Sequence, residues 1–260
     1  MVAKLFKLHY EYIKVALSTA MEYKVNFITQ VFAMILNNSV WLVFWWIFFN
    51  KFQMLNGWTM EDVILLYSIV TISYGLGGFF FGNRLNISHL IVNGKLDFYL
   101  TLPKNILYHI LISKSNFYDV GDVIFGVVLA IISLSLSQVP LFLVFSISSG
   151  IIFVAFAILV NSLAFYMGSA ESTSKHLFFG TLALSSYPMS IFKGAAKIII
   201  LTLIPAGFIS GIPISLLKEF NLGWFLVTLG FASLILFLSI KVFHRGLRKY
   251  ESGNLLYVRT

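Results

Sequence analysis

The chain has 260 residues, of which 59% are apolar and only 11% are charged, and its formal net charge is +8. A soluble domain carries about 25% charged residues, so this composition excludes an ordinary soluble protein, and apolar runs of about 20 residues predict an all-α integral membrane protein. The basic residues lie at the ends of these runs and not in one patch, which indicates loops over anionic membrane lipid and argues against a nucleic-acid partner.

Residues 3–23 are predicted to form an amphipathic helix in the plane of the membrane surface. Their polar residues, among them Lys7 and Glu11, recur at spacings of three and four, and Phe6 and Tyr10 begin a separate apolar stripe. A basic helix of this kind next to a span is typical of an interfacial helix. The alternative is a simple helical extension of the first span.

The first predicted span covers residues 25–49, and three tryptophans near its far end are typical of a membrane interface. Asn37 and Asn38 lie in the middle of this span. They either line a transport path or form hydrogen bonds to a neighbouring helix.

The second predicted span covers residues 61–82. Gly78 and Gly82 form a GxxxG pattern, which permits close approach of another helix but is common by chance in apolar segments. The polar stretch 83–105 follows, and it is predicted to be the handle by which a soluble partner moves the membrane part. An ordinary cytosolic loop is the alternative.

Residues 115–136 and 141–167 are the third and fourth predicted spans. Asp119 and Asp122 are three residues apart, so they share one helix face near the inner end of the third span. Carboxylates in a span suggest a proton or substrate role, and the alternative is a structural or interfacial role. Asn161, in the fourth span, is a further residue that could face a path or an interface.

The fifth and sixth predicted spans cover residues 174–191 and 223–243, and 195–217 between them is predicted to be a broken, partly re-entrant helix pair. The alternative keeps 176–192 on the inner surface and makes 197–217 the span. Prolines and glycines at this density break helices and suggest a gate. The candidate gate residues are Pro188, Pro205, Gly207, Gly211 and Pro213.

The distribution of Lys and Arg predicts which side of the membrane each loop faces. With both termini in the cytoplasm and six spans, 14 of the 18 basic residues lie inside. The alternative for the fifth span raises this number to 16. Charge alone therefore slightly favours the alternative, and both arrangements have six spans.

Several motifs of catalysis and metal binding are absent from the sequence. There is no Gly-rich loop ending in Gly-Lys-Ser/Thr, no HExxH and no GxSxG, and there is no cysteine. The five histidines are scattered along the chain. We therefore expect no catalytic residue, no metal site and no cofactor on this chain.

Five segments together resemble the permease subunit of type-two ABC exporters, in a bacterial branch of mostly unassigned substrate. These segments are Gly94–Pro103, Tyr187-Pro188, Ile204–Phe208, Ile212-Pro213 and Tyr250–Asn254. The most specific parts are the Gly-x-x-Asp-x-x-Leu-x-x-Pro loop and the terminal Tyr-x-Ser-Gly-Asn, and neither is specific for a substrate. The chain departs from the family at Leu102, where the family usually has an arginine.

The resemblance implies one transmembrane domain over residues 1–260, in the cell membrane, that works with a separate cytosolic ABC ATPase on which ATP binds. It implies a homodimer, or a heterodimer with a related permease. The N-terminal helix would be the connecting helix, and 195–217 would be an extracellular re-entrant pair. The coupling helix would lie within 87–102. The residues assigned to ATPase coupling are His89, Gly94, Asp97, Leu100 and Pro103.

We expect export of an amphipathic or lipid-like molecule, since the first two spans are rich in aromatic residues. The competing hypothesis is a self-contained secondary transporter, or an intramembrane enzyme, that uses Asp119 and Asp122. Such carriers usually have internal repeats with broken helices in both halves. The sequence predicts a break in one place only, after Pro188, which favours the ABC permease.

Overall fold

The computed structural model describes residues 2–168 and 170–251, and within these ranges it is helical, without a strand. The prediction of an all-α membrane protein is confirmed. The last three residues of the terminal Tyr-x-Ser-Gly-Asn motif lie outside the described residues. The helices are α1 (Val2–Glu22), α2 (Lys24–Lys51), α3 (Met60–Phe80), α4 (Ile87–Val92), α5 (Asp97–Leu100), α6 (Ile106–Ile112), α7 (Val120–Ser133), α8 (Val139–Asn161), α9 (Ala170–Ser185), α10 (Ala195–Thr202), α11 (Ile212–Lys218) and α12 (Leu222–Leu247).

Four helical stretches are long and apolar enough to cross a membrane on their own: α2, α3, α12 and Leu136–Phe165, which contains α8. Two further stretches qualify only as bent pairs, in which α6 precedes Phe117–Ser133 and α10 precedes Gly207–Lys218. The structure therefore has four membrane-capable helices among the described residues, or six if each bent pair is one span.

Side-chain contacts define two ends of the helix bundle. At one end Lys218 Nζ lies 2.8 Å from Asp62 Oδ2, and Asn56 Nδ2 donates to the Ser190 carbonyl at 3.3 Å. At the opposite end His89 Nδ1 lies 3.1 Å from Glu171 Oε2. The helix α9 therefore begins at the end that contains His89. Ser190, shortly after α9, lies at the end that contains Asn56, so α9 runs the length of the bundle.

The predicted break in residues 195–217 is present. The helix α10 and the stretch Gly207–Lys218 are bent by 77°, and Pro205 lies in the connection between them. A π-helical turn follows, and Ser149 Oγ donates to the Ile209 carbonyl there at 2.7 Å. A hydroxyl of α8 thus satisfies a backbone group of the break, as buried irregular backbone requires.

The prediction that the helices break in one place only is wrong. A second bend, of 68°, separates α6 from the stretch Phe117–Ser133. Hydrogen bonds outside the helical pattern support it: Asn116 N donates to the Gly78 carbonyl at 3.1 Å, and Asn83 Nδ2 donates to the Ile110 carbonyl at 3.1 Å. The intervening Ser113–Asn116 contains neither proline nor glycine, so local sequence gives no breaking signal.

The amphipathic helix α1 is separated from α2 by the non-helical Tyr23. His9 Nε2 is 2.9 Å from the Phe80 carbonyl, and Tyr12 OH is 2.7 Å from His109 Nε2. The predicted apolar stripe is not the face that packs on the protein, since Phe6 is 67% exposed. Tyr23 N donates to the Thr19 carbonyl at 3.2 Å and Phe27 N donates to the Tyr23 carbonyl at 3.0 Å. An interfacial position of α1 therefore stays a prediction, beside the alternative of a helical extension of the first span.

Candidate functional site

The polar stretch after α3 is folded into the bundle, with α4 and α5 anchored by apolar side chains. Ile87, Ile91 and Leu96 are at most 6% exposed, and Tyr99 is buried with them. Because these residues pack on three longer helices, the stretch is not a loose loop. Their buried partners are Leu107, Ile110 and Leu111 of α6, Val154 and Ile158 of α8, and Phe243 of α12.

The opposite face of the same stretch carries exposed apolar side chains. Phe98 is 63% exposed and Leu100 is 41% exposed, and Pro103 is also exposed. We name these three residues the coupling surface. Exposed apolar groups next to a firmly packed base are typical of a docking site for another protein.

A polar network links α4 to the start of α9. Glu171 accepts from Lys175 Nζ at 2.7 Å and bonds to His89 Nδ1 at 3.1 Å. Asn93 Nδ2 donates to the His89 carbonyl at 2.8 Å, at the end of α4. The predicted coupling residue His89 thus contacts α9 and lies beside the coupling surface rather than in it.

The predicted coupling residues Gly94 and Asp97 have structural roles that the sequence did not show. Gly94 has φ +68°, a conformation that favours glycine. Asp97 lies beside Tyr250, and burial together with this carboxylate raises the pKa of Tyr250 to about 12. The beginning of the terminal motif therefore packs against the coupling stretch.

Asn161 joins α8 to α4. Its side-chain Oδ1 accepts from the Ser88 backbone N–H at 3.1 Å, and its Nδ2 donates to the Ala157 carbonyl at 2.8 Å. It thus satisfies one of the free N–H groups at the start of α4. The structure places it at a helix junction, away from the other candidate path residues.

Arg84 lies in the polar stretch 83–105, for which the sequence predicts a cytosolic handle or loop. Its side chain is nevertheless 0% exposed. Its guanidinium carbon lies 5.0 Å from the Tyr74 ring centroid, and Nη2 donates to the Tyr74 carbonyl at 3.3 Å. The sequence signal for a buried position was the location of Arg84 shortly after a predicted span, next to Gly82 and Asn83.

Arg84 and Asp119 meet at Gly78. A Cβ atom at Gly78 would collide with Asp119 Oδ2 and would lie 2.9 Å from Arg84 Nη1. The absence of a side chain at this position leaves room for both charged groups, although no hydrogen bond or salt bridge joins them among the described residues. The GxxxG pattern is used for close approach, since a Cβ at Gly82 would lie 2.7 Å from the Lys114 carbonyl oxygen.

Asn37, Asn38 and Asp122 lie together at a cavity of about 330 Å³ between α2, α3, α7 and α9. Asn38 Nδ2 donates to Asp122 Oδ1 at 2.6 Å. Asp122 is 5% exposed, and its Oδ2 has no hydrogen-bond partner among the described residues. We name this space the acidic cavity. It unites three of the five residues predicted to lie on a path or an interface.

The five candidate gate residues lie at the opposite end from the coupling surface, and all are buried. Gly211 faces Met189, whose Cβ lies 2.7 Å from the position of an added side chain. Gly207 similarly faces Leu201. The two glycines thus allow close packing of these segments. A gating role for the five residues remains a prediction.

A comparison with known protein families identifies the family of the chain. The model of the ABC-2 family transporter protein matches residues 35–253, which is most of the chain. No curated protein and no solved structure matches the chain significantly. The prediction of a type-two ABC permease is confirmed. The chain belongs to the ABC-2 family of transporter proteins and is the membrane permease component of an ABC transporter.

Proposed function

We propose that a separate cytosolic ATPase docks on the coupling surface and drives this permease to export an amphipathic molecule. The observation that carries the proposal is the exposure of Phe98, at 63%, directly beside the buried Tyr99. One face of α5 is available to a partner while the other is fixed to the bundle. ATP would bind to the partner, and this chain would need no cofactor of its own.

The packing supports transmission of force from this surface into the membrane helices. A displacement of α4 and α5 acts on α6, α8 and α12 through their shared buried cluster, and on α9 through Glu171. Closely packed elements move as rigid bodies between discrete arrangements. ATP binding on the partner would thus exchange inward-open and outward-open packings, and cargo shifts that equilibrium through differential affinity.

The exposure of α2 supports assembly with a second permease, either an identical copy or a related chain. Only Trp45 and Phe49 of this 28-residue helix are buried. A second copy along α2 and α9 would cover part of the remaining surface, and lipid would cover the rest. We place the complex in the cytoplasmic membrane, with both termini and the coupling surface in the cytoplasm, in accordance with the distribution of basic residues.

One observation supports the competing proposal of a self-contained carrier that uses Asp119 and Asp122. Helices are bent in both halves of the chain, at Ser113–Asn116 and at 203–206. Broken helices in both halves are typical of secondary transporters. A carrier would transport its cargo without any ATPase, which is the outcome that separates the two proposals.

The docking proposal predicts the effect of placing charges on the coupling surface. We expect Phe98→Asp combined with Leu100→Asp to lower the yield of co-purified ATPase by about tenfold or more, because a charge in an apolar contact costs more than 1.4 kcal/mol. The permease is purified by a tag from its native host, and the ATPase is identified and quantified by mass spectrometry.

The control is Leu136→Asp, which places a charge on an apolar residue that is 92% exposed at the opposite end of the bundle. We expect this variant to retain the ATPase. Equal retention by the double variant, with both proteins monodisperse, would refute docking at the coupling surface. Gly94 and Asp97 are unsuitable for this test, since the positive φ of Gly94 and the contacts of Asp97 would confound docking with folding.

A further inference from the structure

The acidic cavity combines one carboxylate with an aromatic wall. Trp41, Tyr67, Tyr74 and Tyr187 line it together with Asp122, and most of the remaining lining is apolar. Trp41 is 45% exposed, so the aromatic wall continues to the surface of α2. A space of about 330 Å³ is at the lower end of the range for small-molecule sites.

The charges around the cavity do not balance within the described residues. Arg84 and Asp119 both reach the space at Gly78, but no salt bridge joins them among the described residues, and Arg84 Nη1 and Asp119 Oδ2 have no hydrogen-bond partner there. Asp122 has a neutral partner, Asn38, and its second oxygen is without a hydrogen bond. The group of one guanidinium and two carboxylates therefore carries one surplus negative charge when both carboxylates are ionised, and a bound cation would stabilise the ionised form of a buried carboxylate.

The lining favours an organic cation over a metal ion. Asp122 is the one carboxylate among the described residues that line the cavity, and the described residues contain no group of three potential metal ligands. Metal ions of the hard class need six or more oxygen ligands, whereas aromatic faces attract the diffuse charge of a substituted ammonium. The apolar wall would receive the hydrocarbon body of the same molecule.

We infer that the acidic cavity binds an organic monocation with an apolar body, with Asp122 as the counter-ion and Trp41 as an aromatic contact. This inference rests on the proposed function, because it names the class of cargo that the permease carries. It narrows the amphipathic cargo to cationic molecules, and it assigns recognition to α2, α3, α7 and α9 within one permease chain.

The test measures binding to the purified permease in nanodiscs of neutral lipid, without ATPase. The probes are phenyltrimethylammonium and its neutral isostere tert-butylbenzene, and tetraphenylphosphonium and the matched anion tetraphenylborate. We expect saturable binding of at least one cation, and no saturable binding of its matched uncharged or anionic probe. Equal binding of the matched probes, or no saturable binding of either cation, would overturn the inference.

Cation binding by single variants tests whether the acidic cavity is the binding site. We expect Asp122→Asn to weaken cation binding about tenfold or more, since it removes the opposite charge. Trp41→Leu, which keeps an apolar side chain at an exposed position, should weaken binding by about threefold to tenfold through loss of the cation–π contact. Glu61→Gln, a change at an exposed carboxylate, should have no effect. Unchanged binding in both Asp122→Asn and Trp41→Leu would place the cation elsewhere and refute the inference.

Failure of the cation-binding inference can be distinguished from failure of the proposed ATPase-driven function. Cation binding without any co-purified ATPase would retain the cavity and indicate the self-contained carrier. An ATPase that co-purifies with a permease unable to bind either cation would retain the docking proposal and reject the cation site.

Discussion

Replacing Arg84 by methionine is expected to lower the free energy of unfolding by about 3–5 kcal/mol, the cost of removing a buried cation that lies near buried carboxylates. The Arg84 side chain is fully buried, and it lies over the rings of Tyr74 and Phe178 at 5.0 and 5.9 Å. Its loss would remove the cation with the larger electrostatic effect on Asp119 and leave only Lys114. The measurement is denaturant unfolding of the purified permease, followed by tryptophan fluorescence.

A double-mutant cycle separates the charge pair from simple loss of packing. Arg84→Met combined with Asp119→Asn should be more stable than Arg84→Met alone, because the second change removes the unpaired charge. The control is Arg245→Met at an exposed position, which should change stability by no more than about 0.5 kcal/mol. If the double variant is less stable than Arg84→Met, Arg84 and Asp119 do not form the proposed pair.

The second large effect is expected at Gly75, where α3 approaches α7. A Cβ atom there would lie 2.8 Å from the Asp119 carbonyl oxygen and 2.7 Å from Val123 Cγ2. Since a backbone atom cannot rotate away, Gly75→Ala should force the two helices apart and destabilise the protein by about 1–3 kcal/mol. Thermal unfolding of the purified variant is the measurement.

The matched control is a glycine-to-alanine change that is expected to raise stability. Gly230 lies within α12, and a Cβ added there would meet nothing within 4 Å. Gly230→Ala should therefore stabilise the helix by about 0.5–1 kcal/mol, since alanine loses less conformational freedom than glycine. If Gly75→Ala leaves stability unchanged or raises it, the α3–α7 contact is looser than the structure has it.

The features that could be predicted from the sequence are those that depend on neighbouring residues. Apolar runs predicted the membrane helices, alternating stripes predicted α1, and prolines such as Pro205 predicted the break before α11. Each of these signals arises within a few helical turns. The family resemblance, carried by short motifs around Gly94 and Pro188, was likewise local and was confirmed by the family match.

The features that could not be predicted depend on contacts between distant residues. Asn161 bonds to Ser88 across 73 positions, and Arg84 meets Asp119 only because α3 folds against α7. The bend at Ser113–Asn116 is held by side chains of Asn83 and Asn116 rather than by proline. Polarity therefore suggested a solvated loop for Arg84, where tertiary contacts place a buried charge.

The most direct test of the central claim is site-specific cross-linking from the coupling surface. The chain has no cysteine, so Phe98→Cys provides a unique attachment point for a photo-activated cross-linker, and Leu136→Cys provides the same group at the opposite end. Both variants are purified from the native host after illumination, and adducts are identified by mass spectrometry. The ATPase-driven account predicts an adduct between position 98 and a nucleotide-binding ATPase, and none from position 136. An ATPase adduct from 136 but not from 98, or no ATPase adduct from intact, monodisperse complexes, would contradict it.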